Sequence, residues 1–145
     1  IAFIESNWPR KLPDGIIHAD LFPDNVFFKK ENISGFLDFY FSCFDFFSYD
    51  LAITINAWCF SKKKFDKKYF YNLLSGYESV RKLKKEEIEN FNILLRGAAL
   101  RFLFTRIYDS INRNKSKFLK PKDPLEFYEI LNFHINIKST EDYFE

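Results

Sequence analysis

Asp20 stands five residues before Asn25 in the run His18-Ala-Asp-Leu-Phe-Pro-Asp-Asn25, and a further aspartate, Asp38, closes the next apolar run, Ile33-Ser-Gly-Phe-Leu-Asp38. These residue types suit phosphoryl transfer. One carboxylate can orient an attacking hydroxyl, while an amide oxygen and a second carboxylate can hold magnesium on the phosphates. Magnesium retains waters and takes phosphate oxygens from its substrate, so two protein ligands suffice. The competing reading makes these turn residues, with Asp24-Asn25 after Pro23 capping a loop. The joint presence of Asp20, Asn25 and Asp38 favours the chemistry.

The flanking pattern must position them. Val26-Phe27-Phe28 and Ile33 to Leu37 are apolar runs around Lys29-Lys30-Glu31-Asn32, which predicts a small hairpin. A turn centred on Glu31-Asn32 would set Asn25 opposite Asp38, with Cβ atoms about 4.5–5.5 Å apart. Asp20, on the loop before the first strand, would face the same point. Upstream, residues 1–8 read as a helix tail ended by Pro9, Pro13-Asp14-Gly15 as a turn, and Ile16-Ile17 as a short strand entering the motif.

From Ser48 onward the periodicity is helical, predicting helices over 49–60, 66–80, 86–112 and 123–137. The third is nearly apolar from Ile93 to Ile107 and should be buried on most sides, with Gly97-Ala98-Ala99 allowing another helix to approach closely. The fourth opens on Asp123-Pro-Leu-Glu126, with Asp as N-cap, Pro at N1 and Glu at N3. The expected class is α+β, mostly helical, with one small hairpin and about four helices after it.

Composition excludes several functions. A chain of 145 residues, 47% hydrophobic and 29% charged, can bury a core of its own, and 20 phenylalanines make that core bulky. A net charge of +2 gives no argument for nucleic acid, and the lysine runs at 62–64, 82–85 and 115–122 read as solvated faces. Cys43 and Cys59 form no CxxC pair and read as reduced core thiols of a cytoplasmic protein. Two histidines, His18 and His134, make no zinc set. The most apolar stretch, 35–60, is broken by Asp38, Asp45 and Asp50, so no membrane span is expected. Tyr40, Trp58 and Tyr108 read as core rather than as a substrate wall.

His18 to Asn25 resembles the catalytic loop of the aminoglycoside-phosphotransferase and choline-kinase-like superfamily, a branch of the protein-kinase fold. Asp38-Phe39-Tyr40 then resembles the metal-binding element of that superfamily, and Tyr49-Asp50-Leu51-Ala52 the helix start that follows it. More narrowly, the runs 18–25, 38–43 and 49–60, together with Arg96-Gly-Ala-Ala-Leu-Arg101-Phe and Thr105-Arg-Ile-Tyr-Asp109, are similar to the bacterial homoserine kinases of this superfamily. The resemblance implies that Asp20 orients or accepts the proton of the attacking hydroxyl, that Asn25 and Asp38 hold Mg2+ on ATP, and that Asp50 buttresses the loop. His18 is expected to brace the backbone. The implied reaction is ATP-dependent phosphorylation of a small-molecule hydroxyl, with L-homoserine as acceptor.

An amino-acid acceptor needs a cation for its carboxylate. The long helix offers Arg96, Arg101 and Arg106; Arg106 has Asp109 at i+3 for a local ion pair, whereas Arg96 and Arg101 have no acid at i±3 or i±4. Each of those two needs an anion from elsewhere, and Asp50, the chain terminus or a substrate carboxylate could serve. Arg101 is the candidate substrate ligand.

The resemblance also implies an N-lobe with a Gly-rich phosphate loop and a strand lysine. The glycines are 15, 35, 76 and 97, in no G-x-G-x-x-G or Walker arrangement. Residues 1–145 are therefore expected to form a kinase-like C-lobe, with catalytic loop and hairpin over 16–40 and a helical part over 48–137, lacking its N-lobe and inactive in isolation. Two alternatives stay open. The acceptor could be choline, an aminoglycoside or a sugar, or the chain could be a non-catalytic C-lobe remnant. A polycationic aminoglycoside would want a carboxylate-lined site, and Asp66, Glu78, Glu86, Glu87 and Glu89 stand mostly among lysines.

Overall fold

In the computed structural model, which describes residues 1–112 and 122–143, short antiparallel ladders and helices alternate along the chain. In order these are α1 (Ala2–Asn7), β1 (Asp14–Ile17), β2 (Val26–Lys29), β3 (Asn32–Phe36), β4 (Cys43–Phe46), α2 (Phe47–Trp58), β5 (Phe60–Ser61), β6 (Lys64–Phe65), α3 (Lys67–Val80), α4 (Lys85–Glu89), α5 (Phe91–Asn112) and α6 (Pro124–Asn136). The class is α+β and mostly helical, as the periodicity implied.

The core lies where α5 packs against α2 and α6. Ala52, Ile53 and Ile55 of α2, Leu94, Leu95, Ala98 and Ala99 of α5, and Phe127 and Ile130 of α6 are buried there. Such burial is worth about 1.5–3 kcal/mol for each large apolar side chain. The phenylalanines account for much of the remainder. Phe60, Phe65, Phe70 and Phe133 pack ring against ring with Tyr143 below the β5–β6 hairpin. Gly97 does admit a close approach, by an indole rather than a helix. A Cβ there would collide with the indole of Trp8, whose ring stands edge-on to Tyr49.

One buried polar chain crosses this core. Asn92 Nδ2 donates to the Tyr143 hydroxyl (2.7 Å), which pairs with His134 Nδ1 (2.9 Å). His134 Nε2 pairs with Asn56 Oδ1 (2.8 Å), and Asn56 Nδ2 donates to Leu95 O (3.0 Å). With Asn56 Oδ1 as acceptor, the imidazole is the neutral Nε2–H tautomer. The Tyr143 hydroxyl then donates to Nδ1. Burial pushes the His134 pKa down to about 3, with the Arg96 charge adding to it. The chain ties α2, α5 and α6 to the 3-10 turn Thr140–Tyr143.

Several local readings give way to tertiary partners. Asp14 and Gly15 lie in a strand rather than a turn, because β1 pairs with β4 in the register Asp14↔Phe46 to Ile17↔Cys43. The expected helix 86–112 is two helices broken at Asn90. Glu87 of α4 is fully buried, takes a bidentate pair from Arg81 (2.9 and 2.8 Å) and accepts the Lys84 N–H (3.0 Å), which fixes α4 as a separate turn. Arg106 pairs with Glu126 and donates to Asp123 O (3.0 Å), not with Asp109. Cys59 is buried, but Cys43 is exposed on β4. Tyr40 and Tyr108 are likewise exposed, not core. Of the lysine run 115–122, only Lys122 lies among the described residues. No helix among the described residues is long and apolar enough to cross a membrane.

Candidate active site

The loop from His18 to Asn25 leaves β1 at the buried Ile17 and is gripped by α2, α5 and the end of β3. Asp50, in the first turn of α2, accepts the His18 N–H on Oδ2 (3.0 Å) and the Ala19 N–H on Oδ1 (2.8 Å). Trp58, near the end of the same helix, donates its indole N–H to Leu21 O (2.9 Å). Arg101 of α5 donates to Ala19 O (2.9 Å). Ala19 needs this grip, because it sits at φ 62 with its methyl buried. The left-handed conformation costs a residue with a Cβ about 1–2 kcal/mol.

His18 ties the loop to the end of β3. Its Nε2 donates to Leu37 O (2.8 Å), its Nδ1 accepts the Asp20 N–H (3.3 Å), and its ring rests on Phe39 (4.7 Å). That pairing fixes the Nε2–H tautomer and occupies both ring nitrogens.

The hairpin register differs from the expected one. β2 and β3 pair as Val26↔Phe36, Phe27↔Gly35, Phe28↔Ile33 and Lys29↔Asn32. The turn is therefore Lys30-Glu31, with Lys30 at φ 57, and Ser34 is the extra residue where the register shifts. Leu37, not Asp38, stands opposite Asn25, donating its N–H to Asn25 O (2.9 Å). Asp38 lies two residues beyond the end of β3, at φ 57 and ψ 60, where it opens the 3-10 turn Phe39–Phe41. Asp20, Asn25 and Asp38 nevertheless line one cavity of about 490 Å³. They share it through a left-handed turn after the strand, not through facing strand positions.

Within the cavity Asn25 Nδ2 donates to both Asp20 O (2.8 Å) and Asp20 Oδ2 (3.1 Å). Its amide oxygen has no protein donor among the described residues. Burial raises the Asp20 pKa, the Asn25 hydrogen bond and the Arg101 charge oppose that rise, and the Asp38 charge adds to it. The Asp38 carboxylate is exposed and has no hydrogen bond or ion pair among the described residues. No group of three or more His, Cys, Asp or Glu among the described residues could cage a metal. Beside the Asp20 carboxylate, Asn25 and Asp38 offer one amide oxygen and one further carboxylate. That set suits a hard cation completing its shell with water and phosphate, not a closed protein site.

The opposite wall comes from α5. Arg101, Thr105 and Asp109 line the cavity, with Phe102 behind them. Arg101 lies over the rings of Phe102 (4.8 Å) and Phe41 (5.8 Å), and no carboxylate among the described residues pairs with it. Asp50 is not its anion, being committed to the loop amides. Arg96 faces elsewhere, donating to His134 O (3.2 Å), Ile135 O (3.4 Å) and Ile137 O (3.5 Å) at the negative end of α6. Lys122 is paired with Asp24 (2.6 Å).

Sequence reasoning missed the support from Trp58, whose partner lies 37 residues away, and the cavity positions of Thr105 and Asp109. The i, i+4, i+8 spacing from Arg101 was the available signal for the latter pair.

The profile of the phosphotransferase enzyme family matches residues 1–83, more than half of the chain. The homoserine kinase of Sinorhizobium medicae is 51% identical over 147 residues, which cover 99% of this chain and 44% of that protein. The homoserine kinases of Rhizobium meliloti and Xanthobacter autotrophicus are 52% and 50% identical, again over 99% of this chain and 44% and 45% of theirs. The chain thus spans less than half the length of the curated relatives it matches.

Proposed function

The chain belongs to the phosphotransferase enzyme family, and on that premise we propose that the protein carrying it transfers the γ-phosphoryl group of ATP to the hydroxyl of L-homoserine. The product would be O-phosphohomoserine, a step of threonine biosynthesis on cytoplasmic metabolites. The observation that carries this reading is the convergence of Asp20, Asn25 and Asp38 on one cavity, in a chain about half identical to homoserine kinases.

Asp20 orients the acceptor hydroxyl and takes up its proton as the oxygen attacks phosphorus. Burial makes this carboxylate more basic than a free one, while Asn25 and Arg101 favour its ionised form. The Asn25 amide also fixes which oxygen of Asp20 faces the acceptor. The Asn25 amide oxygen and Asp38 would hold Mg2+, which when bound neutralises charge on the transferring phosphoryl group. Asp50, Trp58 and His18 hold the loop, so that catalysis rests on positioning, and no covalent intermediate is needed. Arg101 takes the acceptor's carboxylate.

Phe27, Phe28, Ile33, Phe36, Phe39 and Tyr40 are exposed apolar residues of the hairpin and the turn after it, which an N-terminal lobe could cover. That lobe supplies the nucleotide clamp, so residues 1–145 alone should turn over negligibly. The test is ADP release by the full-length protein with homoserine, choline and a kanamycin-type acceptor. Homoserine should be the preferred acceptor. Phosphorylation of another acceptor without homoserine would overturn the assignment.

A further inference from the structure

Arg101, Thr105 and Asp109 stand at i, i+4 and i+8 on α5, one above another on the same helix face, and all three line the cavity that holds Asp20. The two ends of this stripe carry opposite charge, and neither has a counter-ion among the described residues. No carboxylate among the described residues pairs with Arg101. Asp109 has no hydrogen bond or ion pair among the described residues, and the two described cations that line the cavity with it and Arg101 are committed elsewhere. Arg106, three residues before it, is turned to Glu126 and Asp123 O. Lys122 is held by Asp24. Between the two ends, Thr105 donates its hydroxyl to Arg101 O (3.0 Å) and keeps lone pairs to accept from a ligand.

The two positions lie two helical turns apart on α5, about 12 Å along the axis between backbone positions. A long arginine side chain and a ligand with its own charge pair can bridge that span together. An α-amino acid carries such a pair, an ammonium and a carboxylate on one carbon. We propose that Asp109 binds the ammonium group of the acceptor while Arg101 binds its carboxylate, so that this face of α5 selects an α-amino acid. The inference rests on the homoserine reading above and adds the residue that recognises the second charge. It also gives a reason for Arg106 to pair across to α6. A local Arg106–Asp109 pair would neutralise the carboxylate at this end of the stripe.

The test uses the full-length enzyme and two ligands, homoserine as substrate and 4-hydroxybutyrate as competitor. The competitor keeps the hydroxyl and carboxylate and lacks the amine. Replacing Asp109 by Asn removes one charge-assisted hydrogen bond, so the KM for homoserine should rise about 10- to 100-fold. The kcat and the affinity for Mg-ATP should stay within about threefold, showing that the site is intact. The Ki of 4-hydroxybutyrate should be the same in both enzymes, and Asp109→Glu should recover most of the homoserine affinity. An unchanged homoserine KM in Asp109→Asn would overturn the assignment of Asp109, as would an equal weakening of both ligands. If the unsubstituted enzyme does not phosphorylate homoserine at all, it is the acceptor reading that has failed, and the ammonium site falls with it.

Discussion

Asp50→Asn separates positioning from chemistry. The two carboxylate oxygens of Asp50 accept the His18 and Ala19 amides at 3.0 and 2.8 Å, and the second of these residues is held at φ 62. Hydrogen bonds to a charged acceptor contribute about 1.5–3 kcal/mol each. Asparagine keeps the shape and one acceptor, but turns an NH2 group toward the other amide and removes the charge. The loss should be about 2–3 kcal/mol of local restraint. The left-handed Ala19 adds about 1–2 kcal/mol pulling toward relaxation. At about 1.4 kcal/mol per tenfold, amide exchange at His18 and Ala19 should speed up about 30- to 150-fold. Turnover should fall on the order of 100-fold, since Asp20 is the next residue and tolerates little displacement. Residue-resolved hydrogen exchange and steady-state kinetics on the full-length protein measure both. Unchanged exchange at both amides would mean that Asp50 does not hold them, whether or not turnover fell. A loss of activity without a loosened loop would mean that Asp50 acts by some route other than holding these amides.

Other consequences follow from single contacts. Gly97→Ala places a Cβ into the Trp8 indole, which lies directly over that position. It should destabilise the protein by about 1–3 kcal/mol in urea unfolding, and Trp8→Leu in the same chain should recover part of the loss. His134 is held neutral in the fold, with a pKa pushed down to about 3. The unfolded chain binds a proton below about pH 6.5, so its contribution is complete above that pH and is lost as pH falls toward 3, by about 1.4 kcal/mol per unit. Unfolding free energy should therefore be about 2 kcal/mol lower at pH 5 than at pH 7.5, and equal values would contradict the buried neutral imidazole. Trp58→Phe removes the indole N–H donated to Leu21 O and should lower kcat with little change in nucleotide affinity; kinetics and nucleotide titration decide.

What was legible in the sequence was what depends on neighbours. The Asp123 cap and Pro124 at N1 fixed the start of α6 locally, and the Asp123 side chain indeed accepts the Leu125 N–H (2.9 Å). Helical periodicity located α2, α3, α5 and α6 to within a few residues. The hairpin was legible as an element but not in register. A left-handed Lys30 moved the turn back by one residue, and the extra residue Ser34 shifted the pairing again. Lys30 has no glycine to announce it, and Gly35 beside Ser34 was the one local signal of the bulge. Distant partners were the other blind spot. Arg106 had a suitable acid three residues on, yet chose Glu126, 20 residues away and delivered by α6. Asp14 and Gly15 read as a turn until β4 arrived to pair with them. Spacing along a helix shows which pairs are possible, and the packing of a second helix decides which one forms.

The central claim is that Asp20 acts on the acceptor and not on the nucleotide. Mg-ATP binding and homoserine turnover measured side by side in the Asp20→Ala enzyme test it most directly. Turnover should fall about 10²- to 10⁴-fold, while the affinity for Mg-ATP stays within about threefold. Turnover near that of the unsubstituted enzyme would remove Asp20 from the reaction, and loss of Mg-ATP binding in step with turnover would place it among the nucleotide ligands instead.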